Sequence, residues 1–85
     1  MGPIRRIKPC ENYRLFIELA EGHEIVLDFS GKLHTIRFHE LINQDVFRKA
    51  VTDGYSVIWK NGKIMVSFGE IMDILQNYRF NMRCV

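Results

Sequence analysis

Residues 55–70 read Tyr55-Ser56-Val57-Ile58-Trp59-Lys60-Asn61-Gly62-Lys63-Ile64-Met65-Val66-Ser67-Phe68-Gly69-Glu70, and this stretch decides the fold. Asn61-Gly62 separates two short apolar runs. A tight hairpin turn needs positive φ at its central positions, and Asn and Gly reach that region at least steric cost. The runs on either side therefore pair as strands, giving a hairpin over 55–66. Ser67-x-x-Glu70 then has the spacing of a capping box, in which each side chain accepts the other residue's backbone N–H. Phe68, Ile71, Met72, Ile74 and Leu75 follow at helical spacing, so a helix is expected over 68–77. Gly69 in its first turn weakens it slightly.

Working upstream, Tyr13, Leu15, Ile17 and Leu19 recur at every second position, and so do Ile25, Leu27 and Phe29. Period two puts each set on one strand face. Glu21-Gly22 lies between them, so a second hairpin is expected over 13–29. Ile4 to Lys8, bracketed by Pro3 and Pro9, is too polar for a central strand and reads as an extended edge piece. Residues 30–42 break the pattern; Ile36 and Phe38 alternate, while His39 to Ile42 fits one helical turn. Asn43 suits an N-cap, with Asp45 in the first turn. Val46, Phe47, Ala50 and Val51 share a helical face, so the next helix is expected over 43–52, ending by Asp53-Gly54. Downstream, Tyr78, Phe80, Met82 and Cys84 alternate with Arg79, Asn81 and Arg83, the period of a strand that needs an edge to pair with.

The expected order is β-β-α-β-β-α-β: an α+β fold with a mainly antiparallel sheet built from two β-hairpins and two helices on one face. The 85 residues, 47% apolar and 26% charged, fit one domain spanning 1–85. A disordered tail, a fibrous repeat and a disulfide-dense scaffold are excluded by composition. No apolar run approaches the ~20 residues of a membrane span, and the N-terminus lacks the layout of a signal peptide, so a cytoplasmic location is expected. In that compartment Cys10 and Cys84 remain reduced.

Chemistry is sparse. Ser30, Ser56 and Ser67 lie in no Gly-x-Ser-x-Gly, and Ser67 is better explained as a helix cap. Glu24 and Asp28 share a strand face, where a solvated surface is the commoner explanation than a catalytic pair. His23, His34 and His39 form no metal-ligand spacing with the cysteines, and the six glycines form no phosphate loop. No catalytic residue, metal or cofactor is expected.

Charge is uneven. The net is +2, yet Arg5, Arg6, Lys8 and Arg14 crowd one end and Arg79 and Arg83 the other, leaving the central body acidic. If the termini meet, these six cations form one basic patch; with Tyr13, Tyr78 and Phe80 between them they have the composition of a nucleic-acid surface. A solvated basic edge that discourages wrong strand pairing is the simpler reading. Phe16, Val26 and Ile58 alternate out of register with the core, Trp59 ends a strand, where core or rim packing is the commoner reading and a partner contact the other, and Tyr78, Phe80 and Met82 stripe the terminal strand. Together they are the candidate interface. A domain this small has a thin core, so a homodimer is expected, with strand 78–84 crossing to or packing beside a partner copy. The competing outcome returns the tail beside residues 4–8, bringing Cys84 near Cys10.

Several segments resemble a small bacterial family filed as domain of unknown function 2442. They are Ile7-Lys8-Pro9-x-x-Asn12-Tyr13, Val26-x-Asp28-Phe29-Ser30, Asp45-Val46-Phe47-Arg48 and Val57-Ile58-Trp59-Lys60-Asn61-Gly62, and the resemblance covers roughly residues 4–75. Lys60 stands where many members carry Pro, and the segment after Gly62 lacks their acidic run. The resemblance implies a small α+β domain of the order above and no agreed activity. Some members carry a helix-turn-helix after the domain, and others are encoded beside a second small protein in a toxin–antitoxin-like arrangement. The resulting expectation is a non-enzymatic interaction or regulatory module, one half of such a pair being the form the resemblance suggests, with nucleic-acid binding as the alternative.

Overall fold

The capping box forms as the sequence requires. In the computed structural model, which describes residues 2–77, Ser67 Oγ accepts the Glu70 N–H at 3.1 Å. Glu70 Oε1 accepts the Ser67 N–H at 3.3 Å in return. Helix α2, Phe68–Asn77, starts there. Before it, Ser56–Trp59 (β5) pairs antiparallel with Ile64–Ser67 (β6), Trp59 opposite Ile64. Asn61 and Gly62 take the positive φ expected of them, 56° and 99°, but Lys60 does too at 54°. The connection is therefore a four-residue loop over 60–63 rather than a simple two-residue turn.

The first hairpin also forms. Arg14–Leu19 (β2) pairs antiparallel with Glu24–Asp28 (β3), Leu15 opposite Leu27 and Ile17 opposite Ile25. Those apolar positions face the core, as period two requires. Ile4–Pro9 (β1) pairs with the other side of β2, with a bulge between Ile4 and Arg6, and so is the expected edge strand.

Two expectations need correction. The helix expected over 43–52 is only Gln44–Phe47 (α1). Its start is as predicted, with the Asn43 side chain accepting the Asp45 N–H at 2.9 Å. Its end is set by tertiary contacts. The Phe47 carbonyl accepts the Trp59 indole N–H at 3.0 Å, which satisfies a terminal carbonyl from outside the helix. Val51–Thr52, both β-branched, then pair with Ile58 and Val57 as strand β4. The single expected sheet is also two three-stranded antiparallel sheets, β1-β2-β3 and β4-β5-β6. They abut where Ile4 N–H donates to Gly54 O at 2.9 Å. A Cβ on Gly2 would lie 2.1 Å from that same carbonyl oxygen, so the approach requires glycine. The terminal strand expected over 78–84 lies outside the described residues.

Residues 29–43 stay irregular, with a 3-10 turn at His39–Ile42, and contribute Phe29, Leu33, Phe38 and Leu41 to the core. At its centre is an aromatic cluster. Trp59 stacks on Phe47 with ring centroids 6.0 Å apart and meets Phe29 edge-to-face at 5.5 Å. Phe38 and Tyr13 add further edge contacts to Phe29 and Phe47. Such pairs contribute about 0.5–1.5 kcal/mol each beyond area burial.

Candidate functional site

The outer faces of the two sheets follow from register. On the first sheet, Lys8 lies opposite Phe16 and Phe16 opposite Val26, so the three form one row across β1, β2 and β3. Arg6, Glu18 and Glu24 form the next row, and Arg14 lies opposite Asp28. Val26 is 59% exposed. The candidate residues Phe16 and Val26 are thus brought together, and the four N-terminal cations border them.

Those cations are not a free patch. Arg6 Nε donates to Glu18 Oε1 at 2.7 Å and Arg5 Nη1 to Glu18 Oε2 at 3.2 Å. The Arg6 guanidinium, reinforced by Arg5, holds the Glu18 carboxyl below the usual carboxylate range. Arg79 and Arg83 lie outside the described residues, as do Tyr78, Phe80, Met82 and Cys84.

On the second sheet, Ile58 lies opposite Val51 on one side and Met65 on the other. The result is an apolar row across all three strands, with Val51 57% and Met65 40% exposed. Sequence reasoning identified Ile58 but missed its neighbours. Val51 was hidden by its assignment to a helix. Met65, alternating between the inward Ile64 and Val66, was legible from strand period alone. Of the two readings of Trp59, packing and partner contact, the structure gives packing: at 1% exposure it belongs to the core and leaves the candidate interface, because the next residue on a strand faces the opposite way from Ile58.

The irregular segment packs against β6 through Arg37. Its guanidinium forms a two-pronged ion pair with Glu70, one prong at 2.6 Å, donates to the Met65 carbonyl and lies 4.9 Å over the Phe38 ring. Glu70 is held below the usual carboxylate range by Arg37 first, against partial burial, and by the Ser67 N–H. Beside it, His34, Ile36 and His39 line an open depression, with Ile36 99% exposed. Glu40 in that depression is bound by Lys60 at 3.0 Å, which lowers its pKa. Among the described residues no group of three metal-ligating side chains gathers, and Cys10 is a free, exposed thiol.

Glu18, Asp28, Glu40, Asp53 and Glu70 all have depressed pKa values, each through a hydrogen-bond donor: Arg6, Ser30, Lys60, the Tyr55 N–H and Arg37 respectively. The unfolded chain then binds more protons than the folded one in acid, so stability falls as pH falls. The loss begins as pH approaches the ordinary values, 4.5 for the glutamates and 3.8 for the aspartates, and continues through the lower folded values. Urea midpoints measured from pH 7 to pH 3 should fall only in the lower part of that range. A flat profile would contradict the assigned pairs.

No helix among the described residues is long and apolar enough to cross a membrane. In comparison with known proteins, the chain matches no family model, no curated protein and no solved structure.

Proposed function

We propose that this chain is a small, non-enzymatic interaction module of the cytoplasm that acts as a homodimer, with a second small protein as its regulatory partner. The row Val51–Ile58–Met65 carries this reading. Three aligned apolar side chains on the solvent face of a sheet cost free energy in water, and burying such a side chain fully is worth roughly 1.5–3 kcal/mol. The Phe16–Val26 pair on the first sheet supplies a second apolar surface. The partner protein rests on the family resemblance alone.

Sedimentation of the full chain tests the reading. The wild type is expected to be dimeric at micromolar concentration, and Ile58→Lys with Met65→Lys to be monomeric with the wild-type circular dichroism spectrum. A monomeric wild type overturns the dimer. Nucleic-acid binding by Arg5, Arg6, Lys8, Arg14, Arg79 and Arg83 is the weaker alternative, because Glu18 neutralises part of that surface. Steep salt-dependent retention on a nucleic-acid column, lost on Arg79→Ala with Arg83→Ala, would favour it instead.

A further inference from the structure

Register fixes the two ends of the second sheet as well as the apolar row between them. Trp59 lies opposite Ile64, and Val51 opposite Ile58, so Lys60 after β5, Lys63 before β6 and Lys49 shortly before β4 gather at one end. Thr52 lies opposite Val57, and Ser56 opposite Ser67, so Asp53 after β4 and Glu70 beyond β6 belong to the other end. Lys60 is held by Glu40 and Glu70 by Arg37, and each of these pairs is neutral. Lys49, Lys63 and Asp53 are exposed and make no ion pair among the described residues. The Asp53 carboxylate accepts the Tyr55 and Ser56 N–H groups at 2.8 and 2.9 Å and keeps its charge. The sheet is thus cationic at one end, apolar along Val51, Ile58 and Met65, and anionic at the other end.

A surface of this kind complements its own copy in one orientation. Two sheets pack face to face about 10 Å apart with their strands nearly aligned. A two-fold axis parallel to the strands keeps like ends together. It sets Lys49 over the partner's Lys63 and Lys60 over the partner's Lys60, which is repulsive. A two-fold axis across the strands, along the apolar row, exchanges the ends. Lys49 then faces the partner's Asp53, Lys63 faces the end that carries the partner's Glu70, and Val51, Ile58 and Met65 each meet their own counterpart. Both arrangements cover the same apolar row, so charge decides between them. We propose that two copies associate through the second sheet about this cross-strand axis, with their strands antiparallel. The inference rests on the dimer read above from the same row, and adds its symmetry. Both β6 strands, with the Arg37 segments packed against them, then lie on one flank of the dimer and both β4 strands on the other.

Cysteine cross-linking of the full chain tests the arrangement, in a background of Cys10→Ser with Cys84→Ser that removes the native thiols. Val51→Cys alone and Met65→Cys alone are each expected to form a covalent dimer under mild oxidation. With the axis parallel to the strands, the two copies of either residue would be displaced sideways by about 10 Å, twice the strand spacing. A disulfide bridges Cβ atoms only about 3.5–4.5 Å apart, so cross-links would then form only in a mixture of the two variants. Salt supplies a second readout with opposite signs for the two arrangements. Facing opposite charges are screened, so the dimer Kd measured by sedimentation should rise roughly three- to tenfold from about 50 to about 500 mM NaCl. Asp53→Asn, which retains an acceptor for the Tyr55 and Ser56 N–H groups, should weaken the dimer at low salt and flatten that dependence. Cross-linking confined to the mixture, or a Kd that falls with salt, overturns the antiparallel arrangement and leaves the dimer standing. A full chain that is monomeric, or a dimer unaffected by Ile58→Lys with Met65→Lys, overturns both.

Discussion

Replacing Trp59 by alanine is expected to cost about 3–5 kcal/mol of folding stability, a large part of what a domain of this size possesses. The indole is 1% exposed and touches Phe29 and Phe47, so its removal leaves a cavity where two halves of the chain meet. It also leaves the Phe47 carbonyl without the indole N–H at 3.0 Å, at the point where α1 ends. Trp59→Phe separates the two effects. It keeps most of the aromatic packing and loses the donor, so its cost should be nearer 1–3 kcal/mol. Urea unfolding followed by circular dichroism reads both. An alanine variant within 1 kcal/mol of wild type would mean that the cluster is not the centre of the core.

The same tryptophan shows where sequence reasoning stops. From its position before Lys60-Asn61-Gly62 it could be a core residue or a rim anchor, since both fit a strand end. Parity along β5 settles it only once the inward face is known, and that face is fixed by packing against Phe29 and Phe47, distant in sequence. Val51 and Thr52 fail for a related reason. Ala50 and Val51 continue a helical apolar face, so local pattern extends the helix. Pairing with Ile58 and Val57 is a nonlocal gain that local pattern does not contain.

By contrast, the features read correctly are short-range. The Ser67–Glu70 box, the Asn43 cap and the positive φ of Asn61 and Gly62 each depend on residues within four positions of one another. The Phe16–Val26 pair was legible because both break the alternation of their strands toward the outer face. The Arg5–Glu18 and Arg6–Glu18 pairs were not, because charge counting along the chain separates cations that the β1–β2 register brings onto a carboxylate. The basic surface consequently looked freer in sequence than it is in space.

Glu70 carries the second large effect, because one carboxylate serves two elements. It accepts the Ser67 N–H that opens α2, and it grips Arg37, which holds the irregular segment to β6 through the Met65 carbonyl. Loss of the Ser67 N–H bond, the half of the capping box that the Glu70 side chain makes, is worth about 0.5–1.5 kcal/mol. The ion pair adds less than about 1 kcal/mol, since Arg37 and Glu70 are 49% and 40% exposed at the side chain and solvent screens them. Glu70→Ala should therefore destabilise by about the sum of the two, and Glu70→Gln, which retains an acceptor for the Ser67 N–H, by less. Arg37→Met keeps apolar bulk over Phe38 and removes the charge. If Glu70 acts through Arg37, the double variant Glu70→Ala with Arg37→Met costs less than the two singles added together. Strict additivity in urea unfolding would reduce Glu70 to a helix cap. The segment carrying Phe38 and Leu41 would then be held by its buried side chains alone.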